Sequence, residues 1–290
     1  MSKLRVALCL VALLALAVVV GCGEKEEDTT SAGAETTTAL ADCTPDTLET
    51  KTPGTLTVGT DKPAYPPYFE DNDPTNGKGF ESATAYAIAE KLGYTADQVE
   101  WTVVPFNASY APGPKDFDFD LNQISITPKR AEQVDFSSPY YESNQAIVTL
   151  KNSDLASATS LADFADAKIG VQIGTTSLDE VTAEIQPSED PQVFDNSNDV
   201  VSALKNGQVD TVVVDLPTAL YLTAAQVPTA TVVGQFESSS EGDKWGALLE
   251  KDSSLTACVS AAVDELQSSG ELPDIEQQWM SEAADAPVLQ

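Results

Sequence analysis

The stretch Ser125-Ile-Thr-Pro-Lys-Arg130-Ala-Glu-Gln-Val-Asp-Phe-Ser-Ser-Pro-Tyr-Tyr141 decides how the rest of this chain is read. Thr127 reads as a helix N-cap, Pro128 as the first helical residue and Arg130 as part of the first turn. The unpaired N–H groups of such a helix start attract anions, and a guanidinium beside them can grip a carboxylate through two bonds. An Arg in a first turn is also commonly a plain solvated charge, so the stretch takes its meaning from its surroundings. The complementary group is Asp215, which follows the apolar strand Thr211-Val-Val-Val214.

Outward from these two anchors, short β-branched runs alternate with helical patterns, which predicts an α/β fold. Strands are expected at 56–60, 101–104, 121–126, 146–150, 168–173, 211–214 and 231–233. A helix over 80–92 places Phe80, Ala83, Ala87, Ile88 and Leu92 on one face and stops at Gly93. Residues 110–120 hold too much Pro and Gly for a helix. Further helices are expected at 160–164, 178–185, from the cap Ser197 to Gly207, from Pro217, at 255–267 and at 275–280. Arg130 and Asp215 both fall just past the C-terminal end of a strand, where open α/β sheets hold their ligands.

The N-terminus sets the compartment. Lys3 and Arg5 precede an apolar run from Val6 to Val20, too short for a comfortable span and right for a signal-peptide core. Val19-Val20-Gly21-Cys22 resembles a lipobox, with Cys22 as the lipid attachment point and 1–21 as the signal peptide. An ordinary signal cut after the small residues Ala15 and Ala17 is the alternative. Residues 22–50 begin with a polar, aperiodic segment that reads as a flexible linker.

Composition excludes several functions. The formal charge is −31, from 15 basic and 46 acidic residues, which repels phosphate backbones and argues against nucleic-acid binding. The chain has no His, which removes Ser-His-Asp and Cys-His triads and the commonest general base. No Cys/His cluster suggests a metal, and no cofactor is expected. Outside the signal, only Cys43 and Cys258 remain, and an oxidising compartment favours joining them over two buried thiols.

Four blocks in order now carry a family likeness. They are Val58-Gly-Thr-Asp61 with Tyr65-Pro-Pro67; Gly79-Phe80 with Ala87-Ile-Ala-Glu-Lys-Leu-Gly93; Ser125 to Tyr141; and Val171-Gln-Ile-Gly-Thr-Thr176 with Ala203-Leu-Lys-Asn-Gly207 and Val212-Val-Val-Asp215. The chain resembles the bacterial extracytoplasmic solute-binding proteins of family 3, amino-acid receptors of ATP-driven importers. The resemblance implies a two-lobe, type II periplasmic-binding-protein-like fold of two mixed sheets flanked by helices and joined by two hinge strands. Lobe 1 would span 51–149 and 240–290, and lobe 2 would span 150–239. It further implies that Arg130 holds the ligand α-carboxylate with Ser125, that Thr176 beside Thr175 donates from the second lobe, and that Asp215 takes the α-ammonium. Asp61 would line the first-lobe wall, and Tyr65 and Phe106 would each pack an aromatic ring on the ligand. Plainer alternatives are a helix cap for Asp215, a packed loop aromatic for Tyr65, core for Phe106 and a turn former for Asp61.

Asn122 and Gln123 stand where many members carry small residues, and their amides suggest a polar ligand side chain. The Pro/Gly segment at 110–114 replaces a region that is often helical. The implied partners are a free amino acid and an ABC permease, with membrane contact through the lipid alone and a monomeric, extracytoplasmic protein. An enzyme on the same scaffold, of the cyclohexadienyl dehydratase type, and a sensory ligand-binding protein are the alternatives.

Overall fold

The structure is a computed structural model that describes residues 40–237, 243–280 and 286–289. The expected signal peptide, Cys22 and most of the linker lie outside the described residues. The chain enters through β1 (Leu56–Thr60), α1 (Phe80–Lys91), β2 (Val99–Val103), α2 (Phe106–Ser109), β3 (Phe119–Asp120), α3 (Pro128–Ala131) and β4 (Val134–Ser143). It continues with β5 (Gln145–Leu150), β6 (Ile169–Gln172), α4 (Thr176–Glu180), β7 (Gln192–Phe194), α5 (Ser197–Lys205), β8 (Thr211–Asp215), α6 (Leu216–Tyr221) and β9 (Ala230–Phe236). The last elements are β10 (Asp243–Glu250), α7 (Thr256–Ser269), α8 (Glu271–Met280) and β11 (Val288–Leu289).

These strands form two mixed sheets, ordered β2-β1-β3-β10-β4 and β11-β9-β5-β8-β6-β7. In the first, β1 runs parallel to β2 and β3, and β10 is antiparallel to β3 and β4. In the second, β5 is antiparallel to β8 and β9, while β6 is parallel to β7 and β8. The chain passes from first sheet to second between Ser143 and Gln145, and returns between Phe236 and Asp243.

Sheet membership differs from the expected boundaries in two places. The strand β5 belongs to the second sheet, although residues up to 149 were expected in lobe 1. Its Ile147 and Val148 are fully buried in the second sheet's cores, and a strand buried along nearly its whole length carries no mark of which sheet it joins. The C-terminal β11 also pairs with the second sheet, through β9. Leu289 packs so closely on Gly234 that a Cβ there would meet its Cγ at 2.6 Å.

Several elements depart from the expected pattern. The strand expected at 121–126 is reduced to β3 at 119–120 and a single bridge between Ser125 and Trp245. Gln123 takes a left-handed φ of 49° that ends the ladder, and its backbone N–H donates to Glu81 instead. β4 and β10 were not anticipated as strands. Pro139 within β4 is tolerated because β4 is an edge strand, where a missing donor costs no ladder bond. α1 is buried on more than the expected face, with Glu81, Ser82 and Thr84 inside as well, because it packs against α7 and α8. The cap of α5 is Asn196 rather than Ser197, its side chain accepting from the Asp199 N–H at 3.0 Å.

Cys43, 1% exposed, is bonded to Cys258 of α7, with Cα atoms 5.6 Å apart. This fixes the segment before β1 onto the first core, which centres on Trp245, Phe80, Tyr68 and Phe69.

Candidate functional site

A cleft of about 420 Å³ lies between the two sheets, a size that suits a small molecule. All ten residues expected to bind ligand line it: Asp61, Tyr65, Phe106, Asn122, Gln123, Ser125, Arg130, Thr175, Thr176 and Asp215. They come from strand ends, helix starts and connecting loops on both sides of the cleft, so neither sheet alone makes the site.

Arg130 is placed by the N-cap read from sequence: the Thr127 hydroxyl accepts its backbone N–H at 3.2 Å, with Pro128 at the first helical position. Its side chain is 7% exposed. Nη1 donates to the Ser125 carbonyl at 2.7 Å and Nη2 to the Gly174 carbonyl at 2.9 Å, one from each side of the cleft. Phe106 and Tyr110 lie against the guanidinium, with ring centroids 5.5 and 4.9 Å from Cζ. Burial lowers its pKa, and Tyr110, Asp243, Asp179 and Asp215 act in the opposite direction. Two carbonyls and two rings hold the fork in one orientation, leaving its remaining N–H groups for an anion.

Ser125 and Thr176 meet across the cleft, hydroxyl to hydroxyl, at 3.4 Å. Thr175 caps α4 by accepting from Leu178 N–H at 3.3 Å and donates to the Gln172 carbonyl. Thr176 therefore opens a helix, next to a turn in which Gly174 adopts φ 72°.

Asp215 precedes α6 but makes no side-chain cap bond, so the capping alternative does not hold. Its Oδ1 accepts from Gln145 Nε2 at 2.6 Å. Burial, followed by the charge of Asp243, pushes its carboxyl up to about 8; the Gln145 bond and Arg130 act the other way. Asp61 Oδ1 and Oδ2 accept from the N–H groups of Lys62 and Phe106, at 2.6 and 3.1 Å, so it orders its turn while lining the cleft.

Tyr65 stacks on Tyr221 of the opposite lobe, with centroids 6.0 Å apart and planes within 9°. Burial raises its hydroxyl pKa to about 12. Tyr68 also spans the lobes, its hydroxyl 2.8 Å from that of Thr218.

The two amides expected at the side-chain end behave differently. Gln123 turns its Nε2 onto the Glu81 carboxylate, so that amide is already engaged inside the protein. Asn122 is 6% exposed, lines the cleft, and has no hydrogen-bond partner for Nδ2 among the described residues. Beneath them Glu81 also accepts from Tyr140 at 2.5 Å, and burial raises its carboxyl to about 7.

Sequence reasoning missed Glu81, Tyr110, Gln145 and Asp243. Gln145 Nε2 also donates to Asp243 Oδ2 at 2.9 Å, and Thr176 Oγ1 donates to the same oxygen at 2.7 Å. Polar Gln145 heading the apolar run of β5 was the available signal.

The fold and cleft define the class of two-lobe α/β ligand receptors in which a guanidinium and a carboxylate face one interlobe cavity. Residues 56–282 match the model of the bacterial extracellular solute-binding proteins, family 3, and the chain belongs to that family. The arginine-binding extracellular protein ArtP of Bacillus subtilis (strain 168) is 29% identical over 78% of this chain and 86% of its own length. A probable histidine-binding protein of Campylobacter jejuni is 31% identical over 77% of this chain and 83% of its own. Among solved structures, an ancestral arginine-binding protein bound to glutamine superposes with a TM-score of 0.66 at 35% identity, covering 78% of this chain and 97% of that one.

Proposed function

We propose that this protein is an extracytoplasmic receptor that captures a free α-amino acid between its lobes and presents it to an ABC importer. The observation that carries the reading is the opposed pair in one cleft: Arg130, preoriented by carbonyls from both lobes, and Asp215, with no cation as ion-pair partner among the described residues. An α-amino acid carries the complementary charges at a fixed separation. Arg130 takes the α-carboxylate, assisted by the hydroxyls of Ser125 and Thr176, and Asp215 takes the α-ammonium. Tyr65, Phe106, Asp61 and Asn122 face the ligand side chain, with Asn122 Nδ2 the donor still lacking a partner.

A ligand that touches both walls stabilises the closed arrangement through contacts unavailable in an open one, and that difference is the signal a permease can read. Cys22 acts as the lipid anchor, 1–21 as the signal peptide and the following segment as the tether; among the described residues no helix is long and apolar enough to cross a membrane. The protein acts as a monomer. The receptor reading is favoured over a dehydratase because the relatives above are named as binding proteins.

Calorimetric titration of the ligand-stripped protein against the common amino acids and small dicarboxylates tests the reading. One-to-one binding of an amino acid is expected. Binding confined to acids without an ammonium would remove the role given to Asp215, and turnover of a bound compound would favour an enzyme.

A further inference from the structure

Behind the cleft, Asp215 and Asp243 converge on a single nitrogen. Gln145 Oε1 accepts from Ser177 Oγ at 2.5 Å, which turns its NH2 group toward the two carboxylates. Its Nε2 donates to Asp215 Oδ1 at 2.6 Å and to Asp243 Oδ2 at 2.9 Å, with Thr176 Oγ1 a longer third acceptor at 3.3 Å. The two acids are therefore no farther apart than two hydrogen bonds through one atom. They also come from opposite sheets: Asp243 opens β10 of the first, directly after the return crossover, whereas Gln145 and Asp215 belong to β5 and β8 of the second, with Thr176 at the start of α4. Neither acid forms an ion pair with Lys or Arg among the described residues.

We propose that ligand uptake is proton-coupled at this seam: the Asp215 carboxyl, facing Asp243 across Gln145, holds a proton in the ligand-free protein, and the arriving α-ammonium displaces it to solvent. This rests on the reading of Asp215 as the ammonium partner. The exchange balances. The O–H bond on Asp215 breaks, the proton passes to water or buffer, and the ammonium brings one positive charge in its place. Asp243 acts as a positioning residue through Gln145 and Thr176, setting the charge that Asp215 feels without lining the cleft itself.

The surroundings favour a retained proton. Burial and the neighbouring Asp243 raise the Asp215 carboxyl to about 8. Glu81 of α1 adds to this, and Arg130 of α3 opposes it. Glu180 of α4 faces Asp243, and the tyrosines Tyr65, Tyr68 and Tyr141 face Asp215. Only one of these groups is cationic, and both of its Nη atoms already donate to carbonyls.

The test is titration of an amino acid that binds, at pH 7, in buffers of widely different ionisation enthalpy. Close to one proton released per ligand is expected. The apparent affinity should rise about tenfold per pH unit and level off near pH 8. In Asp243→Asn the like charge is gone, so release at pH 7 should fall and the plateau should move to lower pH. A residue that merely braced the fold would change affinity without moving that plateau. Binding with no buffer dependence overturns the proposal while leaving the receptor reading intact. A pH profile unchanged in Asp243→Asn overturns the role of Asp243 in holding the proton on Asp215. If that variant fails to fold, proton release by the wild-type protein still decides the matter. Failure of every amino acid to bind overturns the receptor reading, and this inference with it.

Discussion

Carbonyls from opposite lobes and two aromatic faces hold the Arg130 guanidinium in one orientation. Preorganisation of this kind lowers the ordering cost of binding. Arg130→Ala should weaken amino-acid binding by ~2–5 kcal/mol, and Arg130→Lys should recover only part, because an ammonium cannot reproduce the planar fork; titration calorimetry reads both. Asp215 leads to a second expectation. Burial and the charge of Asp243 push its carboxyl from the ordinary 3.8 up to about 8 in the folded protein, so folding favours the protonated form. That contribution is complete below pH ~4 and is lost as pH rises through about 8. The denaturant midpoint of the ligand-free protein should therefore fall over this window, and Asp215→Asn should flatten the upper part of the fall. A slope unchanged by the substitution would place the titration elsewhere. Both anchors were legible in the sequence because each has a local signature: a Thr-Pro cap before the Arg, and an Asp ending a β-branched run.

The short helix α3 shows how an element positions a side chain. Its four residues have little stability of their own, so the Thr127 cap fixes where Arg130 begins. Thr127→Ala should cost about 1 kcal/mol of stability and should also weaken ligand binding, although Thr127 itself does not line the cleft. Chemical denaturation and calorimetry measure the two effects, and lowered stability with unchanged affinity would mean that Arg130 is held by its carbonyls alone. The neighbouring segment explains why part of the site was hidden. Residues 121–126 have the apolar pattern of a strand, yet Gln123 leaves the ladder to satisfy the buried Glu81 from an adjacent helix. No periodicity records a partner 42 positions away. Asp243 and Gln145 were missed for the same reason: each stands at the start of a strand, and only the folded chain brings them together.

At the scale of the molecule, two mixed sheets and two crossings produce a cleft whose walls come from distant parts of the chain. The alternation of strands and helices makes the α/β class readable, whereas the sheet that β5 joins is not, because burial along nearly its whole length erases any sign of membership; the two-residue β11 is too short to carry a pattern. The bond between Cys43 and Cys258 closes a separation of 215 residues, for which loop entropy gives at most roughly 5 kcal/mol. Replacing both with Ser should lower the denaturant midpoint and leave amino-acid affinity nearly intact, because neither Cys lines the cleft; a large loss of affinity would tie the disulfide to the site. The central claim is that one cleft reads both charges of an α-amino acid. Its most direct test compares, by calorimetry, the bound amino acid with its deaminated and decarboxylated analogues in wild type, Arg130→Ala and Asp215→Asn. The account predicts that wild type rejects both analogues, that Arg130→Ala no longer distinguishes the decarboxylated analogue from the parent, and that Asp215→Asn no longer distinguishes the deaminated one. Wild-type binding of the deaminated analogue as tight as that of the parent would contradict it.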